Sequence, residues 1–123
     1  FGSNTSFYAV TPCRQFDSRS GDPLASGATL TVPLGGGSCG IPTTATAVSV
    51  NLTVTGSTTP GFVTLYPADG TLPIVSNINF GAGQTRANNA IVPLATDGSA
   101  SIKVVNSSAG TLHVIVDVNG YFE

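Results

Sequence analysis

Hydrophobic and polar residues alternate along most of this chain, and nowhere do apolar residues recur at helical spacing between capping residues. In 46–55 (TAVSVNLTVT), Val48, Val50, Leu52 and Val54 share one strand face. Ala47, Ser49, Asn51, Thr53 and Thr55 share the other. In 111–118 (TLHVIVDV), Leu112, Val114, Val116 and Val118 form an apolar face, with His113, Ile115 and Asp117 opposite. Further strands are predicted at 5–10, 28–34, 61–66, 73–80, 87–94 and 99–106. Glycine-, proline- and aspartate-containing stretches separate them: GGGSCG, STTPG, ADGT, GAGQT, TDG and SSAG. About eight short strands of this kind predict an all-β fold, an antiparallel β-sandwich of jelly-roll or Ig-like type. There is no internal repeat and no linker, so the chain reads as one domain.

Composition narrows the class. Only 8% of the 123 residues are charged, about a third of the usual share. There are sixteen Thr and thirteen Ser, so the surface is mostly hydroxyl, amide and backbone. Charge repulsion then opposes association only weakly, which fits a chain that binds its own kind or works outside the cell. The net charge of −2 includes no basic run, which argues against a nucleic-acid partner. No apolar run reaches the roughly 18–20 residues of a membrane-inserting helix. The chain opens without Met or a signal peptide, as a processed N-terminus would. Cys13 and Cys39 are the only cysteines, and with one histidine they do not make a zinc site. A disulfide between them is the simplest reading, and it implies an oxidising compartment.

The charges are unevenly placed. Of ten charged side chains, Arg14, Asp17, Arg19 and Asp22 lie within TPCRQFDSRSGDP (11–23). A carboxylate between two cations could grip an anionic ligand. The structural reading is an ion-pair network: Asp17 pairs with Arg14 or Arg19, and Asp117 of the closing strand offers a second partner. We expect the network. Calcium at Asp17, Asp22 and Asp117 is opposed by the neighbouring arginines, and no metal or cofactor is expected.

Several stretches together resemble a non-catalytic β-module of secreted and surface proteins of actinobacteria and other environmental bacteria. These are TPCRQFDSR (11–19), similar to a P-x-R-x-x-D-[ST]-R opening, and CGIPTTATAVSVNLTVTG (39–56). TTPGFVTLYPADGTLPIVSNINFGAGQTRANNAIVPL (58–94) and DGSASIKVVNSSAGTLHVIVDVNGYF (97–122), with its DVxGYF close, complete the likeness. The resemblance implies an extracellular β-domain of the kind found in tandem or appended to hydrolases. It begins at residue 11.

Catalytic patterns are weak. His113 and Asp117 share a strand face but stand roughly 13 Å apart at strand rise, and no G-x-S-x-G elbow is present. Asp22, Asp69 and Asp97 lie in turns and Glu123 is terminal, which leaves no glycosidase pair. GGGSCG is followed by neither Lys nor a helix, so it is no phosphate loop. We therefore expect no enzyme. Asn77, Asn79 and Asn88, with Tyr66 as a stacking face, are candidate polysaccharide-binding residues. Asn4, Asn51 and Asn106 begin N-x-[ST] sequons. The extension 1–10 reads as a strand, and Phe7, Tyr8 and Val10 are candidate anchors for addition to a neighbouring copy. The leading expectation is a secreted, self-associating structural or adhesive protein, a filament or surface-layer subunit; the alternative is a carbohydrate-binding module.

Overall fold

The alternation in 46–55 becomes β3 (Ala47–Thr55), and Val48, Val50, Leu52 and Val54 are fully buried there. The computed structural model describes residues 5–71 and 77–123. The other strands are β1 (Phe7–Asp17), β2 (Thr29–Pro33), β4 (Gly61–Pro67), β5 (Ile78–Phe80), β6 (Arg86–Pro93), β7 (Ser101–Ser108) and β8 (His113–Phe122). A single 3₁₀ turn, Ser18–Ser20, follows β1. The predicted strand at 73–80 falls partly outside the described residues; within them only Ile78–Phe80 is strand.

Two four-stranded antiparallel sheets face each other. Sheet 1 has the order β1-β8-β3-β6 and sheet 2 the order β2-β7-β4-β5. The pairs β1·β8, β2·β7, β3·β6 and β4·β5 are nested, so the chain folds back on itself like a doubled ribbon. That order is a jelly roll and rules out the Ig arrangement. Alternate residues of both sheets fill the space between them: Val48, Val50, Leu52, Val114, Val116 and Val118 from sheet 1, and Val32, Val63, Leu65, Ile102 and Val104 from sheet 2.

Two strands run further than their sequence pattern predicts. β1 passes residue 10 without a break, and β8 passes Asn119-Gly120. Both hold bulges. The β1·β8 register shifts between Ala9 and Cys13 and again between Arg14 and Phe16. On the other side of β8, the β3 register shifts between Ser49 and Val50, opposite Asn119. A bulge inserts a residue and resets the inside–outside alternation, which hides the strand from a period-two reading.

Candidate functional site

The second β1 bulge explains the charged opening. Arg14 and Asp17 are three apart and would face opposite sides of a regular strand. Gln15 is the extra residue, and its amide donates to the Pro33 carbonyl (3.2 Å). Phe16 can then pack against the core while Arg14 pairs with Asp117 and Asp17 with Ile115 in the ladder. The Arg14 guanidinium donates to the Asp117 carboxylate (3.0 and 3.4 Å) and lies 3.6 Å from that of Asp17. Asp17 accepts one hydrogen bond from Arg19 Nε, forked over both carboxylate oxygens, and one from its Nη2, and caps the 3₁₀ turn by accepting from the Arg19 backbone N–H (3.0 Å). Arg14, Asp17, Arg19 and Asp117 thus form one chain of alternating charge. The Arg19 side chain, and then its backbone N–H, hold the Asp17 carboxyl down to about 2. Asp117 raises the pKa of Arg14, chiefly through their hydrogen bond. Two cations and two anions neutralise each other here and leave no unmatched charge for an ionic ligand. Asp22 is exposed and has no part in the chain.

Beside it, Cys13 and Cys39 form a disulfide that fastens the β2–β3 connection to β1. Ser18 is buried; its hydroxyl accepts from the Val114 N–H (2.9 Å) and lies 2.9 Å from His113 Nδ1. No carboxylate bonds to His113 among the described residues, and the serine oxygen is engaged with backbone, so this contact lacks the parts of a nucleophilic pair.

The start of β1 continues the ladder with β8. Phe7, Tyr8 and Ala9 pair with Phe122, Tyr121 and Gly120 of the same molecule. Phe7 and Phe122 meet at 5.0 Å between ring centroids, and Tyr8 stacks on Tyr121 at 5.2 Å. The Phe7 ring occupies the space a Cβ at Gly120 would take, which is why the closing motif holds glycine there. Phe7–Val10 of the extension expected to serve a neighbour are therefore part of a strand of its own sheet. Val10 packs against the core, whereas Phe7 and Tyr8 remain 50% and 45% exposed.

The candidate glycan site is not assembled. Tyr66 is 8% exposed and offers no face to a sugar ring. The Asn77 side-chain oxygen accepts from the Leu65 N–H, and the Asn88 amide donates to the Asn77 carbonyl (2.9 Å). Asn79 is exposed on β5. The side chains of Asn77 and Asn88 serve backbone. A separate cavity of about 330 Å³ opens near the start of β3 and the end of β6, lined by Thr43, Thr44, Thr46, Thr96, Leu94 and Ala95 among others. It brings several hydroxyls together without an aromatic wall.

Sequence reasoning missed the role of Asn106. It is fully buried, and its amide donates to the carbonyls of Leu24, Ala25 and Gly110, each at 3.0 Å. A buried amide engaged in this way is no acceptor for a glycan in the folded chain. Asn51 is half-buried on sheet 1, and Asn4 lies outside the described residues.

Compared with protein-family models and with curated proteins, the chain matches none. Among solved structures it is similar to the Tobacco streak virus coat protein dimer, with a TM-score of 0.44 and 8% identity over 97% of this chain and 87% of that one. A second structure of that coat protein gives 0.43 and 10%, over 97% and 88%. Likeness at this level carries no argument about what the chain does.

Proposed function

We propose that this protein is a non-catalytic structural subunit of an extracellular or cell-surface assembly, held together by contacts between copies of itself. The observation that carries the reading is the pair of long edges on sheet 1. β6 runs for 8 residues in unbroken register and β1 for 11 with a bulge after Ala9, whereas β2 and, among the described residues, β5, the edges of sheet 2, span 5 and 3. Exposed edges are usually blunted by shortness or by charge. Sheet 2 uses shortness. On sheet 1, Phe7–Cys13 carries no charge at all, and β6 carries only Arg86 at its first position. The disulfide supports an oxidising location, and the low overall charge removes the usual barrier to association. The resemblance to secreted bacterial modules supports the same setting.

Light scattering across a concentration series, with negative-stain microscopy of the native protein, tests this. Oligomers or filaments that grow with concentration are expected. A monomer of 12.3 kDa throughout would overturn the reading and turn attention to polysaccharide binding at the threonine-lined cavity.

A further inference from the structure

We infer that copies join head to tail, with β1 of one copy added to β6 of the next, so that sheet 1 runs on through the assembly; this rests on the self-association proposed above. Strand direction permits it. Every neighbouring pair in β1-β8-β3-β6 is antiparallel, so β1 and β6, three steps apart, run in opposite directions. Placing the β1 edge of one copy beside the β6 edge of another, both in the same orientation, continues the antiparallel alternation.

Both edges offer backbone groups for the purpose. Among the described residues, β1 pairs only with β8 and β6 only with β3, and no other backbone–backbone bond involves Phe7–Asp17 or Arg86–Pro93. The β6 register against β3 is unbroken over all eight residues. β1 is bulged after Ala9, which limits its regular edge to its first residues.

The exposed apolar side chains fit this register. Reading straight across the sheet, Phe7 aligns with Phe122, Ala47 and Pro93, and Ala9 with Gly120, Ser49 and Ile91. The row between them, Tyr8–Tyr121–Val48–Val92, turns inward, with Val48 and Val92 in the core. Phe7 and Ile91 therefore share the outer face of sheet 1, at opposite edges and one such row apart. They are also the two most exposed large apolar residues described, at 50% and 53%. In an isolated molecule half of Phe7 stays exposed beyond its contacts with Phe122 and Gly120, and Ile91 is slightly more exposed. With β1 laid on a neighbour's β6 in this register, Phe7 sits diagonally across from Ile91, within the reach of an aromatic–β-branched cross-strand pair. The contact uses different surfaces on the two copies, so it propagates as a filament unless its rotation closes a ring. Four strands at about 4.8 Å spacing give a subunit repeat of roughly 19 Å along the hydrogen-bonding direction.

Phe7→Lys blocks one edge and Ile91→Lys the other, lysine being the residue that protects natural edges. Each variant alone should be monomeric in sedimentation velocity under conditions where the wild type assembles. Mixed in equal amounts, they should form a dimer of about 25 kDa, twice the 12.3 kDa chain, and stop there, since only one free β1 and one free β6 remain. Ala9→Lys, at an exposed position, repeats the β1 block while keeping the Phe7 ring. Melting curves confirm that each variant is folded. Assembly of either single variant like the wild type, or a mixture that stays monomeric while the wild type assembles, overturns the β1-on-β6 pairing and leaves self-association standing. A wild type that never assembles removes both.

Discussion

Replacing Asn106 should destabilise this fold more than any surface change. Its amide has two hydrogens and three carbonyl partners, so it supplies two to three hydrogen bonds, one of them shared. Its side-chain oxygen accepts from Ser108 Oγ (2.6 Å). Each carbonyl keeps another donor after truncation: Leu112 N–H on Leu24, Ala28 N–H on Ala25, and Ser108 Oγ on Gly110. Asn106→Ala therefore removes bonds without fully orphaning their acceptors. At about 1 kcal/mol net per buried bond, plus the space left behind, the loss is about 2–4 kcal/mol. With roughly 2.1 cal/mol/K of unfolding entropy per residue, that lowers Tm by about 8–15 °C. Asn106→Asp keeps the shape but turns a carboxylate toward three carbonyls. Burial and this repulsion raise the introduced carboxyl's folded pKa, so its native state recovers as pH falls and weakens as pH rises toward 7. Thermal unfolding followed by circular dichroism at pH 4 and pH 7 measures both variants. An Asn106→Ala drop below about 4 °C (roughly 1 kcal/mol), or an Asn106→Asp variant matching the wild type at pH 7, would refute the reasoning.

Three further outcomes are expected. Reducing Cys13–Cys39, or replacing both with Ala, frees a loop of 26 residues. In the chain-entropy model this costs about 3.5 kcal/mol, or about 13 °C in Tm, and a fall under about 4 °C in melts with and without reductant would contradict it. Asp17 has a folded pKa of about 2 against an ordinary 3.8, so its contribution is complete above the higher value and lost as pH falls through the lower one. The stability gap between wild type and Asp17→Asn, read from denaturant titrations, should be open at pH 6 and narrow by pH 2; an equal gap at both would rule the ion pair out as its source. Gly120→Ala should drive the Phe7 ring off the sheet and lower Tm, with part of the loss recovered in the Phe7→Ala background; purely additive effects would show that the two positions do not meet.

The strands were legible where one face packs and the other does not. Val48, Val50, Leu52 and Val54 announce β3 because each second residue is a large aliphatic one that faces the core. The nested order was not legible, because alternation fixes which face is buried but not which strand lies beside which. Bulges hid the rest of β1 and β8, since the Gln15 and Asn119 insertions break the period on which a strand is recognised. Tyr66 misled for a related reason. It lies between Leu65, in the core, and Pro67, and so takes the outward parity together with Thr64; yet Thr64 and Tyr66 are 1% and 8% exposed. Parity separates the two faces of a strand but does not show that the outer one is open. Asn106 did leave a signal: it follows Ile102 and Val104 in the core-facing phase of β7, where an amide must be spent on backbone.

The opening and closing motifs are the two ends of the chain, and the jelly roll makes them neighbours by nesting β1 against β8. Their residues then explain one another. Gly120 is small because Phe7 lies on it, and Asp117 is acidic because a bulge turns Arg14 toward it. Asp17 is acidic because it must cap the turn into Ser18 while meeting Arg19, and Ser18 in turn ties that turn to Val114 of β8. Every one of these bonds lies between β1, its following turn and β8. None reaches across the outer edge of β1. The charges are consumed in holding the first strand to the last, and the uncharged residues before Cys13 are left at the rim. The same sequence feature that looked most like a ligand site thus fixes an edge strand in place, with its free side available to another chain.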